Sequence, residues 1–209
     1  MRIHHLSFAG IGPFAGEQAI DFASLTRSGL FLLEGPTGAG KSTVIDGIVF
    51  ALYGALADDS ADRHRLRSDY AQADAESYVD LVFEVAGGVY RIRRTPQYRR
   101  PKRRGAGTTE VHSTARLWRL TSPDSSVGEL VSGNVAEASA QVAGIVGLSR
   151  EQFIQTVVLP QGKFADFLRA GTDQRRWLLQ RIFGTEIYQA VLEELRAGRK
   201  AAARLLESL

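Results

Sequence analysis

The sequence predicts an α/β fold, a mixed β-sheet around one amphipathic helix with a helical lobe after it. Three observations carry this. The apolar run GLFLLE, residues 29–34, leads through a glycine-rich turn into Val44, Ile45, Ile48, Val49, Leu52 and Tyr53 at helical spacing. Three segments with strand patterning, 78–85, 88–94 and 111–121, follow a polar stretch over 57–76. From Thr172 onward apolar residues recur at three- and four-residue steps, interrupted only by Gly198.

The elements follow in order. Residues 2–8 and 17–22 alternate and suggest a strand pair, joined by the turn chemistry of GIGPF. Residues 29–34 read as a buried strand, and Gly54 closes the helix that starts at Ser42. Gly87-Gly88 supplies a hairpin turn between the first two later strands. The basic run and GAGTT separate the second from the third, and 122–132 reads as a loop. Asn134 is placed to cap a helix reaching about Val146, and Ser149 to cap another with Glu151 near its start. Pro160-Gln161-Gly162 breaks that pattern. After Leu192 the composition shifts to Ala, Glu, Arg, Lys and Leu, as expected of a helix leaving the body of the fold.

With 209 residues the chain is long enough to bury a core, and 44% hydrophobic with 23% charged residues excludes wholesale disorder. The absence of cysteine excludes disulfides, thiolate zinc sites and a cysteine nucleophile. No stretch reaches the roughly 18 apolar residues of a membrane helix. The N-terminus lacks the pattern of a secretory signal, and the expectation is a cytoplasmic protein without a membrane partner. The net charge of +3 hides an asymmetry, because residues 91–104 hold eight basic residues and no acid. The remainder has 18 basic against 23 acidic residues. His4, His5, His64 and His112 show no metal-ligand spacing.

Gly35-Pro36-Thr37-Gly38-Ala39-Gly40-Lys41-Ser42 fits G-x-x-x-x-G-K-[ST] at every fixed position, between an apolar run and a helix. Glycines let the backbone wrap a phosphate with its N–H groups inward, and the helix start adds a positive dipole end. Lys41 places a point charge on the β- and γ-phosphates, and the Ser42 hydroxyl is a Mg²⁺ ligand. The expectation is binding of ATP with Mg²⁺. No acidic pair follows four apolar residues after Ser42, so the catalytic base is missing from this stretch.

Residues 29–54, GLFLLEGPTGAGKSTVIDGIVFALYG, resemble the first ATPase motif of the SbcC family, the ATPase subunits of the SbcCD nuclease within the ABC/SMC-like class. VVLPQGKFADFL, residues 157–168, resembles that family's Q-loop, 157–163. The resemblance implies the N-terminal lobe of an ABC/SMC-type ATPase head over 1–171, with 172–209 as the start of a coiled coil. It gives Gln161 a catalytic role beside Lys41 and a contact to Mg²⁺ shared with Ser42. It also makes Thr43 an α-phosphate contact and Arg67 a nucleotide contact. The turn after the first strand, Ala9-Gly10-Ile11-Gly12, lacks the basic residue common there. The implied partners are a C-terminal half of the same head, a second copy across sandwiched ATP, a metallophosphoesterase nuclease of the SbcD type, and double-stranded DNA. A small-molecule P-loop kinase is one alternative, which the missing acidic motif argues against; the other is a structural DNA clamp of the SMC or RecF kind, which shares both loops. In either DNA setting the basic run becomes a DNA contact through Arg99, Arg100, Lys102, Arg103 and Arg104, with Tyr90 and Tyr98 available for stacking. Arg91, Arg93 and Arg94 are read instead as alternating along a strand.

Overall fold

The structure is a computed structural model. It describes residues 1–26, 29–57, 66–102, 106–158, 171–172 and 191–200. Contacts divide the chain into two units, Met1–Arg150 and Glu151–Leu209.

In the first unit, β1 (Arg2–Ile11) and β2 (Phe14–Asp21) form an antiparallel hairpin, and α1 (Phe22–Leu25) follows. The phosphate-loop helix α2 spans Lys41–Tyr53. β3 (Tyr78–Val85) and β4 (Gly88–Thr95) make the expected second hairpin. β5 (Tyr98–Pro101) and β6 (Thr108–Val111) form a separate two-stranded ribbon, and β7 (Thr114–Leu120), β8 (Gly128–Ser132) and α3 (Val135–Val146) close the unit. The main sheet has the order β2-β1-β3-β4-β7-β8, and every pairing in it is antiparallel.

Strand periodicity decides which side chains meet the helices. Leu6 and Phe8 of β1, Val79, Leu81 and Phe83 of β3, Ile92 of β4 and Leu117 of β7 are all buried. α2 lies directly on this surface. A Cβ at Gly47, midway along the helix, would stand 3.8 Å from Val79 and 3.9 Å from Leu6. Burying Val49, Phe50 and Leu52 of α2 contributes roughly 1.5–3 kcal/mol per side chain. α3 begins at Asn134, whose Oδ1 accepts from the Glu137 amide at 2.8 Å while Glu137 receives the Asn134 side-chain amide at 3.2 Å. The Asn134 side chain thus satisfies one helix-start donor, worth about 1 kcal/mol, and the side-chain bond to Glu137 holds it in place.

The opposite sheet face is polar. Asp80 is buried, and Arg91 donates to it through Nε and Nη2 at 2.9 and 2.7 Å. The bidentate geometry and the charge-assisted bonds hold the Arg91 guanidinium above its ordinary pKa, against the opposing effect of desolvation. Arg93 reaches the same carboxylate at 3.6 Å and stacks 3.6 Å over the Tyr78 ring.

Several expectations change. Residues 30–34 form no regular element and join no strand ladder among the described residues, and Leu30 and Leu32 are 85% and 83% exposed. The parallel component that a mixed sheet needs is therefore not seen there. The apolar run has the right composition for a buried strand, but burial requires neighbours on both sides. Phe31 packs edge-on against Phe22 at 5.7 Å. In α2 the buried stripe runs through Gly47, Val49, Phe50, Ala51 and Leu52, and Ile45 points outward. The segment 111–121 is two strands, broken at His112-Ser113, because β6 turns away to pair with β5. The loop expected over 122–132 ends in the edge strand β8, which pairs with β7. Tyr90 and Tyr98 are both buried, so neither presents a face for stacking on bases.

In the second unit, α4 (Arg150–Phe153, its first residue belonging to the first unit) runs into a wider helical turn with i→i+5 bonding over Ile154–Val158. Residues 191–200 are helical and exposed throughout. No described helix is long and apolar enough to cross a membrane.

Candidate functional site

A glycine-rich loop over residues 35–40 leads into α2 at the position of the sequence motif. Residues 35–39 are exposed, and Gly40 is the N-cap of α2 with φ +87°. Its conformation and its crowding both require glycine. A Cβ there would fall 2.4 Å from Phe14 Cε2 and 2.9 Å from Pro13 Cγ. The β1–β2 turn thus presses on the loop, and Phe14 is braced from behind by Phe8, edge-on at 5.4 Å. Gly40 offers no side chain to cap α2. Among the described residues no side-chain oxygen caps the helix start, and the Thr43 amide donates to the Gly40 carbonyl at 3.1 Å; an anion at the loop would meet the positive end of the helix dipole.

Lys41 bends back over the loop. Its Nζ donates to the carbonyls of Gly35 and Pro36, both at 2.6 Å. The ammonium therefore already stands at the mouth of the loop, where the motif puts phosphate. Ser42 is exposed one residue inside the helix, with its hydroxyl available to a cation beside that phosphate. Thr43 packs against Gly12 of the β1–β2 turn. The donor set fits a nucleotide phosphate and a hard divalent cation. Among the described residues no His, Asp and Glu cluster stands ready to bind a metal by itself.

Arg67 belongs to a loop tied to the same turn. Gly12 donates to the Leu66 carbonyl and Ser68 to the Gly10 carbonyl, each at 2.9 Å, and Ile11 bridges Arg67. The backbone of Arg67 is thus close to the phosphate-loop surroundings, but its guanidinium is engaged elsewhere. It donates to Gln72 O at 2.9 Å and Ala75 O at 3.2 Å, and it lies 3.9 Å over the Tyr98 ring.

The basic run divides by register. On β4, Arg91 and Arg93 face outward and Arg94 inward, 1% exposed. On β5, Arg99 is exposed and opposite Glu110, whereas Arg100 is half-buried on the Tyr98 side, and its Nε is buried without a hydrogen-bond partner among the described residues. Lys102 is exposed. Arg103, Arg104 and Gln161 lie outside the described residues. His4 pairs with Glu84 at 2.9 Å, in keeping with a structural role. Two features of the site are not assigned by sequence patterns. The brace formed by Pro13 and Phe14 is signalled only by turn residues, and the inward Arg94 only by strand alternation.

The AAA domain family matches residues 5–207. The SbcC component of the SbcCD nuclease from Vibrio cholerae is 38% identical over 191 residues, which is 91% of this chain and 19% of that protein. The protein of the same name from Lactococcus lactis is 34% identical over 197 residues, 94% of this chain and 19% of that protein. The chain spans about a fifth of the length of these curated relatives. Among solved structures, the SMC head domain from Thermotoga maritima aligns with a TM-score of 0.30 and 24% identity, over 53% of this chain and 36% of that one. With its glycine-rich loop, Lys41 and α2 in place, and matched from residue 5 to residue 207, the chain belongs to the AAA domain family and is similar over most of its length to the SbcC component of the SbcCD nuclease.

Proposed function

We propose that this chain is the N-terminal lobe of an ATPase head that binds ATP and Mg²⁺ at Gly35–Ser42 and works in a DNA-repair nuclease complex. The observation that carries the reading is the loop itself, an uncapped helix start with Lys41 Nζ poised over the Gly35 and Pro36 carbonyls. With ATP and Mg²⁺ bound, the loop amides and Lys41 would orient the phosphates, Thr43 would contact the α-phosphate and Ser42 would hold the cation, and the family resemblance gives Gln161 a share in that cation. Mg²⁺ supplies charge neutralisation at the γ-phosphate, where the attacking water is activated by groups outside this stretch.

A C-terminal half of the head completes the site. The exposed apolar side chains of Leu30, Phe31, Leu32 and Leu33 support this, because a strand of that composition gains most by entering a sheet. Two completed heads sandwich ATP, and their association governs a metallophosphoesterase partner acting on DNA. The exposed Arg99 and Lys102, with Arg103 and Arg104, contact DNA phosphates. Residues 172–209 begin the coiled coil.

Titration with a fluorescent ATP analogue and Mg²⁺ tests the site. The chain is expected to bind, Lys41→Ala to lose binding, and turnover to appear only when the C-terminal half is added. Robust hydrolysis by the chain alone refutes the split site.

A further inference from the structure

We propose that Arg94 is a positioning residue for the phosphate loop, acting from the far end of α2. The inference rests on the reading that the loop binds nucleotide. Among the described residues Arg94 is the largest fully buried side chain, and no described carboxylate pairs with it. A buried guanidinium is costly unless its donors and its charge are both answered. Here both are answered by one helix end. Nε donates to Ala51 O at 2.6 Å and Nη2 to Leu52 O at 3.1 Å. Those carbonyls belong to the last turn of α2, which has no intrahelical donors left and carries the negative end of the dipole.

Two further contacts fix the cation. Nη2 also donates to Ser139 Oγ at 3.1 Å, and Ser139 gives its own proton to Val135 O at 2.8 Å, so its lone pairs face the guanidinium. Gly54 ends α2 with φ +71°, and a Cβ there would stand 3.1 Å from Nη1. The glycine thus both reverses the chain and leaves room for the guanidinium. Burial lowers the Arg94 pKa to about 10, which still leaves it charged at neutral pH.

The lever follows from the packing. α2 has 13 residues and is about 20 Å long, with Lys41 at one end and the Arg94 contacts at the other. Gly47, at its middle, lies against Leu6 and Val79 with no side chain of its own to resist rocking. A tilt at the Arg94 end therefore moves Lys41 and Ser42. An apolar residue at position 94 would fill the space but would not hold the carbonyls.

The test measures affinity for a fluorescent ATP analogue with Mg²⁺ on Arg94→Met, Arg94→Lys and Val142→Ala, each confirmed folded by circular dichroism at the assay temperature. Val142 is a fully buried residue of α3, so it reports the effect of lost stability alone. Arg94→Met is expected to weaken binding about tenfold and to speed hydrogen exchange at the amides of 39–43. Arg94→Lys, which keeps charge but not the fork, is expected to weaken it about threefold. Val142→Ala is expected to bind as the parent does. Parental affinity in folded Arg94→Met overturns the proposal, as does an equal loss in Val142→Ala. If Arg94→Met does not fold, parental affinity and exchange in Arg94→Lys overturn it. Failure of the parent to bind, or undiminished binding by Lys41→Ala, instead refutes the nucleotide reading on which it rests.

Discussion

Replacing Arg99 and Lys102 with glutamine is expected to flatten the salt dependence of DNA binding, whereas Arg100→Gln is not. The distinction comes from the β5–β6 ribbon. Arg99 and Lys102 are exposed, but Arg100 shares the inward face of β5 with buried Tyr98. Each phosphate contact contributes about 0.9 to the slope of log affinity against log salt, so losing two lowers its magnitude by about 1.8. Between 50 and 200 mM salt the parent should therefore lose about twelvefold more affinity than the double variant. Fluorescence anisotropy of a labelled duplex, titrated at four or five salt concentrations, measures this directly. An unchanged slope in the double variant removes DNA from the ribbon's exposed face. An equal drop in Arg100→Gln shows that the register does not decide which arginines reach phosphate.

Four other outcomes follow from the same geometry. Glu110→Gln removes the acid opposite Arg99, and it should tighten duplex binding at low salt with the gain fading as salt rises, in the same anisotropy assay. Asp80→Asn leaves Arg91 with a weakened partner at a buried position, and should cost about 1–3 kcal/mol by urea denaturation. Leu32→Ser should leave the stability of this chain within about 0.5 kcal/mol, because the side chain is 83% exposed, yet weaken association with the C-terminal half in a pull-down. Asp21 accepts hydrogen bonds from Ser24 and Ala23, chiefly the Ser24 amide, which hold its carboxyl below the usual range. Because the folded form binds its proton less readily, its contribution is full above the ordinary carboxylate range and is lost as pH falls through the lowered value. An NMR titration of that carboxyl checks the direction.

What the sequence made legible is what short spans decide. The glycine-rich loop that opens α2, the Asn134 cap and the αL closure at Gly54 each depend on residues within a few positions, and each stands where it was expected, while the hairpin between β3 and β4 turns on Ala86-Gly87, one residue before the expected Gly87-Gly88. The burial of 29–34 was not legible, because composition records how much a segment gains from neighbours and not whether they are present. Arg67 shows the same limit from the other side. Its loop lies beside the β1–β2 turn, but its guanidinium is held by the nearby Gln72 and Ala75 carbonyls and by Tyr98, and the Tyr98 contact is set by the tertiary path of the basic run.

Arg94 lies between these cases. Strand alternation at 91–94 already puts one arginine on the inward face. On that face a cation demands either a carboxylate or a set of free carbonyls. No acid stands on the inward positions of β3 or β4, where Leu81, Phe83 and Ile92 do. The remaining carbonyl-rich feature of such a fold is the end of the helix lying on that face, and this is where Arg94 binds. An inward arginine on a strand beneath a phosphate-loop helix is therefore a readable sign of how that helix is anchored, provided the search is for carbonyls as well as for acids.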